Sequence, residues 1–270
     1  MALQDTLNAI EPLGHTIICL DGPITSEADA ATWGNYLDTV SGPIEQHDAI
    51  VIVPFNDIDA ATAFAAYAET MSRYRFVAVC YHGTQQMPAL SASIAAAISA
   101  LPDVATPLDD VQLPGLTAVD SSNTLTRTRI EAALNAGVAV VATDEATGTP
   151  AIVRCITTYQ QDAAGDPDDL MLDVNAPLIL AYTRVQVRAA VRLLGPLKNI
   201  STGLATVRTT ILAVLLKLGT AEILQNVVQW EPSLTVTQDG SDRTRANAQI
   251  PTDMVPGMHV IAGTLNVYSS

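Results

Sequence analysis

A thiol, a phenol and an imidazole stand in a row at Cys80-Tyr81-His82, followed by Gly83. They close a short apolar run over residues 76–81, and the carboxyl end of a parallel strand is where open α/β sheets hold ligands. A thiol beside an imidazole is the pairing of a nucleophile with a base. Neighbouring strand residues point to opposite faces, however, so Cys80 and His82 share a face only if the strand continues through His82. No acidic group to orient the imidazole and no oxyanion loop accompany them, and the other reading is a core cysteine beside a loop histidine. A GxSxG elbow, a Walker glycine loop and a GxGxxG fingerprint are absent from the chain. The sequence therefore predicts no enzyme, no catalytic residue and no cofactor, with a small α/β enzyme using Tyr81 and His82 as the alternative.

Two charged constellations remain. Residues 162–173 carry Asp162, Asp166, Asp168, Asp169 and Asp173. Clustered carboxylates can hold calcium, but the ligand order of an EF-hand around a central glycine is missing, so no metal is expected. Asp173 or a neighbour is read as complementing the dipole of the helix that follows, the other acids as facing solvent or a neighbouring subunit. The second constellation is Arg184, Arg188 and Arg192. Four-residue steps keep side chains on one helix face, drifting about 40° per step. The stripe is either a solvated face or a contact for an acidic patch on a neighbour or an inner tube. On the contact reading, reversing all three to glutamate should impair assembly while the subunit stays folded.

The chain has 270 residues, 28 acidic and 13 basic, for a formal net charge of −15. That balance disfavours nucleic acid as a partner. The length suffices for one large or two modest domains. Between Arg208 and Lys217 the apolar run 211–216 is too short to cross a bilayer, so no membrane insertion is expected. The start, MALQDTLNAIEPL, has no basic region followed by a long apolar stretch. Cys19, Cys80 and Cys155 each sit in an apolar β-like run and read as small core residues, without the CxxC or Cys/His spacing of a zinc site.

Short Ile- and Val-rich runs at 15–20, 49–54, 76–81 and 138–143 have the pattern of buried parallel strands. Between them the spacing predicts helices over 27–40 after a Ser26 cap, 60–73 after Asp59, 89–100, and 125–135 ending at Gly137. Residues 102–122, with Pro102, Pro107 and Pro114, form a long connector. A turn at 143–150 leads to a strand over 151–159. Helical periodicity resumes over 175–194 and 202–218, and the tail alternates in the β manner from Leu234, Val236 and Gln238 onward. The fold class is thus α/β: an open, mostly parallel sheet with flanking helices, followed by a long helix pair and a C-terminal β region.

The stretch 137–174, GVAVVATDEATGTPAIVRCITTYQQDAAGDPDDLMLDV, resembles the conserved part of the contractile tail sheath proteins of Mu-like bacteriophages and prophages. The likeness extends to Asp48–Asp57 (DAIVIVPFND), to Pro107-Leu108 with Leu113-Pro114-Gly115-Leu116, to Asp242-Arg243-Thr244-Arg245 with Ile250-Pro251, and to residues 258–268, covering roughly 48–268. It implies an α/β sheath region over 1–136 and a conserved C-terminal sheath domain with a β-tail arm over 137–270. It implies copies stacked as hexameric rings around a tail tube, meeting baseplate and tail terminator proteins, in a virion tail assembled in the host cytoplasm. The alternating Met258, Val260, Ala262, Thr264, Asn266 and Tyr268 would then form an inter-subunit strand, and the arginine stripe a tube or neighbour contact. Many family members carry a long N-terminal region, so the chain is either a minimal subunit or a fragment. A phage sheath and the sheath of a tailocin or injection machine read alike.

Overall fold

The structure is a computed structural model that describes residues 3–42, 45–68 and 73–259. The chain opens with helix α1 (Leu3–Ile10), strand β1 (Ile17–Cys19) and helix α2 (Glu27–Val40). The Ser26 side chain accepts from Asp29 N at 3.0 Å, so α2 begins where its cap predicts. Strand β2 (Ile50–Phe55), helix α3 (Ile58–Ala68), strand β3 (Phe76–Cys80) and helix α4 (Met87–Ser99) follow. The expected Asp59 cap is corrected: Asp57 Oδ1 accepts from Asp59 N and Ala60 N at 3.0 and 2.9 Å, which starts α3 earlier. Asp59 instead points outward to Arg129, 3.2 Å away.

After the connector come helix α5 (Arg127–Asn135) and strands β4 (Val138–Thr143) and β5 (Pro150–Arg154). The five strands lie in chain order, β1 to β4 parallel and β5 antiparallel to β4. Strand β5 is shorter than the expected run to Tyr159. Past Arg154 the chain changes partners: Thr157 N donates to Leu172 O (2.7 Å) and Thr158 N to Phe76 O (3.0 Å).

Every position of β2 and β3 is buried, and the two-residue period divides them between two cores. Val51, Val53, Phe55, Phe76, Ala78 and Cys80 pack with α2 and α3 on one face. Ile50, Ile52, Val77, Val79 and Tyr81 pack on the other with Leu90 and Ile94 of α4 and with Leu108, Leu113 and Leu116 of the connector. Each large apolar side chain so buried contributes about 1.5–3 kcal/mol. Since β4 and β5 complete the sheet begun by β1 to β3, the sheet runs across the 136/137 division suggested by motif.

Helices α6 (Asn175–Arg192) and α7 (Ser201–Thr220) pair to form a third core from Ile179, Val187, Ile211, Leu215 and Leu218. Asn175, buried at the head of α6, ties it to the connector by donating to Val104 O and Thr106 O at 2.9 and 2.7 Å. A short helix α8 (Val227–Trp230) leads to the hairpin of β6 (Thr235–Gln238) and β7 (Ala246–Gln249). Only the first of these strands shows in the alternation, because β7, Ala-Asn-Ala-Gln, is exposed throughout and carries no apolar face.

By length and a mean hydropathy of 1.3, α7 is apolar enough to cross a membrane, more so than its apolar core run suggests. Within it, Arg208 binds Leu234 O and Glu231 O at 2.9 and 3.1 Å, and Ile211, Leu215 and Leu218 are buried against the rest of the chain.

Candidate functional site

The strand-end residues do not assemble a nucleophile and base. Cys80 belongs to the core on the α2/α3 face and Tyr81 to the opposite one. Burial, followed by the charge of Asp57, pushes the Cys80 thiol up to about 12, so it carries no thiolate near neutrality. Nδ1 of His82 accepts from Ile58 N at 3.3 Å, which commits that nitrogen to the first turn of α3. The Tyr81 hydroxyl lies 2.9 Å from Thr143 Oγ1 and accepts from Val119 N at 3.0 Å, pinning the connector to the end of the sheet. The space among Tyr81, His82, Asn123 and Thr143 is about 20 Å³, room for a water and no substrate.

Gly83 explains this closure. Its φ is +80°, and a Cβ there would lie 2.4 Å from Asn123 Cγ. Gly83→Ala should therefore cost about 2 kcal/mol in urea denaturation; an unchanged midpoint would contradict the packing described. Replacing Cys80 or His82 by alanine should lower stability by about 1 kcal/mol and alter nothing else. A turnover abolished by either change in a folded protein would restore the enzyme reading.

The acidic loop closes on itself. Asp162 Oδ1 accepts from Ala164 N and Asp166 N at 2.8 and 3.0 Å. Asp168 takes the Tyr159 hydroxyl at 2.6 Å and Leu170 N at 3.0 Å, and these bonds, the tyrosine's first, hold its carboxyl below the usual carboxylate range. Such a depressed carboxyl steadies the loop above its unfolded titration range and ceases to as pH falls through the folded one. Tyr159→Phe should move the Asp168 titration, followed by carboxyl-carbon NMR, toward ordinary values; an unmoved titration would contradict the assignment. Asp169 contributes its carbonyl to Leu172 N at 3.0 Å. Among the described residues no three His, Cys, Asp or Glu side chains converge as metal ligands.

Asp173 does not cap α6, whose N-terminus has no side-chain cap. It receives both arms of Arg154, at 2.9 and 3.1 Å. The cysteine expectation also needs correction at one position: Cys80 and Cys155 are buried, whereas Cys19 is exposed on the short first strand.

The arginine stripe is brought together on one loop of its own chain. Arg184 Nη1 meets Asp48 Oδ1 at 2.5 Å, Arg188 Nη1 donates to Gln46 O at 2.8 Å and lies 3.9 Å from Asp48 Oδ2, and Arg192 Nη2 donates to Gln46 Oε1 at 3.2 Å. Arg75 adds a fourth cation 3.8 Å from Asp48 and also binds Ser41 Oγ and Tyr74 Oη at 2.7 and 2.9 Å. Reversing the whole stripe would thus set two glutamates, at 184 and 188, against a buried aspartate and a third against the Gln46 amide oxygen. The expectation that such a subunit stays folded does not survive this geometry; exposed Arg192 alone can be reversed without it. The sequence held no sign of Asp48 as the hub, since it precedes Arg184 by 136 residues.

Most large exposed apolar side chains among the described residues lie between 182 and 230, including Val185, Leu193, Ile200 and Val228, with Leu193 88% and Val228 73% exposed. A groove of about 760 Å³ beside the end of α7 is lined by Leu216, Leu224, Val227 and Val228. Of the expected inter-subunit strand, Met258 is described and is exposed; Val260, Ala262, Thr264, Asn266 and Tyr268 lie outside the described residues.

No family model and no curated protein matches the chain in sequence. Among solved structures, its fold is similar to that of a chain in the baseplate of the anti-feeding prophage (TM-score 0.68, 16% identity, covering 99% of this chain and 72% of that one). It is similar to the sheath tail protein of Listeria innocua (TM-score 0.70, 12% identity, 93% of this chain), of which it spans 56%. The contracted helical sheath of the anti-feeding prophage also matches (TM-score 0.62, 14% identity, 98% of this chain and 72% of that one). The chain has the fold of contractile sheath proteins. At these identities the likeness is one of fold, and the narrower resemblance to Mu-like phages rests on the sequence motifs alone.

Proposed function

We propose that the chain is a structural subunit of a contractile tail sheath, polymerising as stacked hexameric rings around a tail tube and contracting to drive the tube through a host envelope. The observation that carries this reading is the likeness of fold to sheath chains over nearly all of its described length. Two features support it. The apolar side chains left exposed on α6, α7 and α8 fit a surface covered by neighbours. The two-stranded hairpin β6–β7 is too small to be stable alone in water and presents an exposed strand to which a neighbour's terminal arm could add. On this reading the protein works with the tail tube, baseplate and tail terminator proteins, without nucleic acid or membrane insertion, in a virion tail assembled in the host cytoplasm.

The tube contact is assigned to the exposed end of the arginine stripe, Arg192. Exposed charge pairs contribute only about 0–1 kcal/mol each, but a ring repeats them in every subunit. Arg192→Glu should reduce the fraction of chain that pellets with co-expressed tube protein, more at low salt than at high, without changing the urea midpoint. Unchanged pelleting across salt concentrations would remove Arg192 from the contact. A second reading, the sheath of a phage-derived injection machine, is favoured by neighbours that come from the anti-feeding prophage and from an extracellular contractile injection system. Capsid genes beside this one would decide for a phage.

A further inference from the structure

The last described residues run from the loop after α7 to the connector and the head of α6. Residues 253–255 are stitched to the loop after α7: Gln225 N donates to Asp253 O at 2.9 Å and Val255 N to Ile223 O at 3.3 Å. The Asp253 carboxylate accepts from Gln225 Nε2, Asn226 Nδ2 and Trp230 Nε1 at 3.0, 2.9 and 3.1 Å. Gly257 then passes tightly against the connector, where a Cβ would stand 3.0 Å from Pro107 Cγ and 2.8 Å from His259 Nε2. Two residues further on, the His259 ring is seated between carboxylates of two different elements. Its Nδ1 meets Asp109 of the connector, and its Nε2 lies 3.0 Å from Asp173 Oδ2 at the head of α6.

A neutral imidazole has one N–H, so between two carboxylates one contact would set a lone pair against an oxygen. The imidazolium donates to both. Charge counting agrees. Asp109, Asp173 and the Arg154 paired to Asp173 sum to −1, and the second ring proton brings the group to zero. The other titratable neighbours do not supply that charge. Cys155 is a buried thiol pushed up to about 12, chiefly by burial and then by Asp109 and Asp173, while Asp169 and Asp253 line a groove with Asp173 and add negative potential there.

We propose that His259 is a protonation-set clasp that ties the root of the C-terminal arm to the α/β body. It is closed while the ring carries both protons and opens when it loses one. Charge-assisted bonds to both carboxylates are made only in the closed state, so the clasp is favoured as pH falls and released as pH rises. On the sheath reading the clasp would hold the point from which an arm is offered to a neighbour. That use of the arm rests on the sheath reading; the clasp itself is a property of the single chain.

The test is amide hydrogen exchange of the full-length chain between about pH 5.5 and 8.5, corrected for intrinsic exchange and read on peptides spanning 253–259. Because closure is linked to the second ring proton, protection should fall as pH rises across this range. His259→Gln should show low, pH-independent protection there, with protection of β2 and β3 unchanged. In parallel, ring ¹⁵N shifts of His259, assigned with that variant, should show both nitrogens protonated at the acid end. Flat protection in the wild type, the same slope in His259→Gln, or a neutral ring at the acid end would each overturn the clasp. None of these measurements depends on polymer formation, so the clasp and the sheath reading can fail separately.

Discussion

Replacing Asp48 with alanine should destabilise the subunit by about 3 kcal/mol, because it strands arginines that share one buried carboxylate. The Asp48 side chain is 7% exposed and that of Arg75 9%, so water cannot take over their pairing. Arg184 and Arg188 are more exposed and recover part of their hydration, which keeps the figure at the low end for a broken buried pair. Asp48→Asn should cost less, since the amide oxygen still accepts from Arg184. Urea denaturation reads both changes: a lowered midpoint at unchanged slope is expected, larger for alanine. A change below about 0.5 kcal/mol in Asp48→Ala would mean that the stripe is an ordinary solvated face.

Deleting everything after Gly257 should abolish ordered polymers while leaving the body folded. The expectation comes from alternation at the end of the chain and from an exposed hairpin strand that an arm could join. Each main-chain bond of an added strand contributes on the order of 1 kcal/mol net, and several act together at every subunit. This truncation also removes His259, so a second one ending at His259 is needed. It keeps the clasp and removes only the arm, and it should fail to polymerise just as completely. Normal polymers from either truncation would contradict the arm's role.

The sheet and its helices were legible because their signals are local. Fully apolar five- or six-residue runs, a serine cap at Ser26 and four-residue spacing over Arg184, Arg188 and Arg192 are read within a dozen positions. The cap of α3 was displaced because Asp57 and Asp59 are chemically identical, and only the backbone decides which carboxylate meets two free N–H groups. Strand β7 was missed because an exposed strand needs no apolar face. What the sequence withheld is what joins distant segments: Asp48 to Arg184, Asn175 to the connector, Tyr81 to Val119, and His259 to Asp109 and Asp173. Each is one polar side chain meeting a side-chain or backbone group far along the chain, and neither periodicity nor composition records such a pairing. The strand end near Cys80 shows the converse. Its residue types suggest chemistry, but alternation sends Cys80 and Tyr81 to opposite cores, and the closed turn at Gly83 leaves no room for a substrate.

Polymerisation into a sheath is visible by electron microscopy of the purified full-length chain, alone and co-expressed with the tube protein of its own locus. The sheath account predicts tubes of stacked rings whose averaged end views have six-fold symmetry and whose lumen admits the tube. Dispersed single subunits under both conditions, at concentrations where the protein is folded, would contradict it.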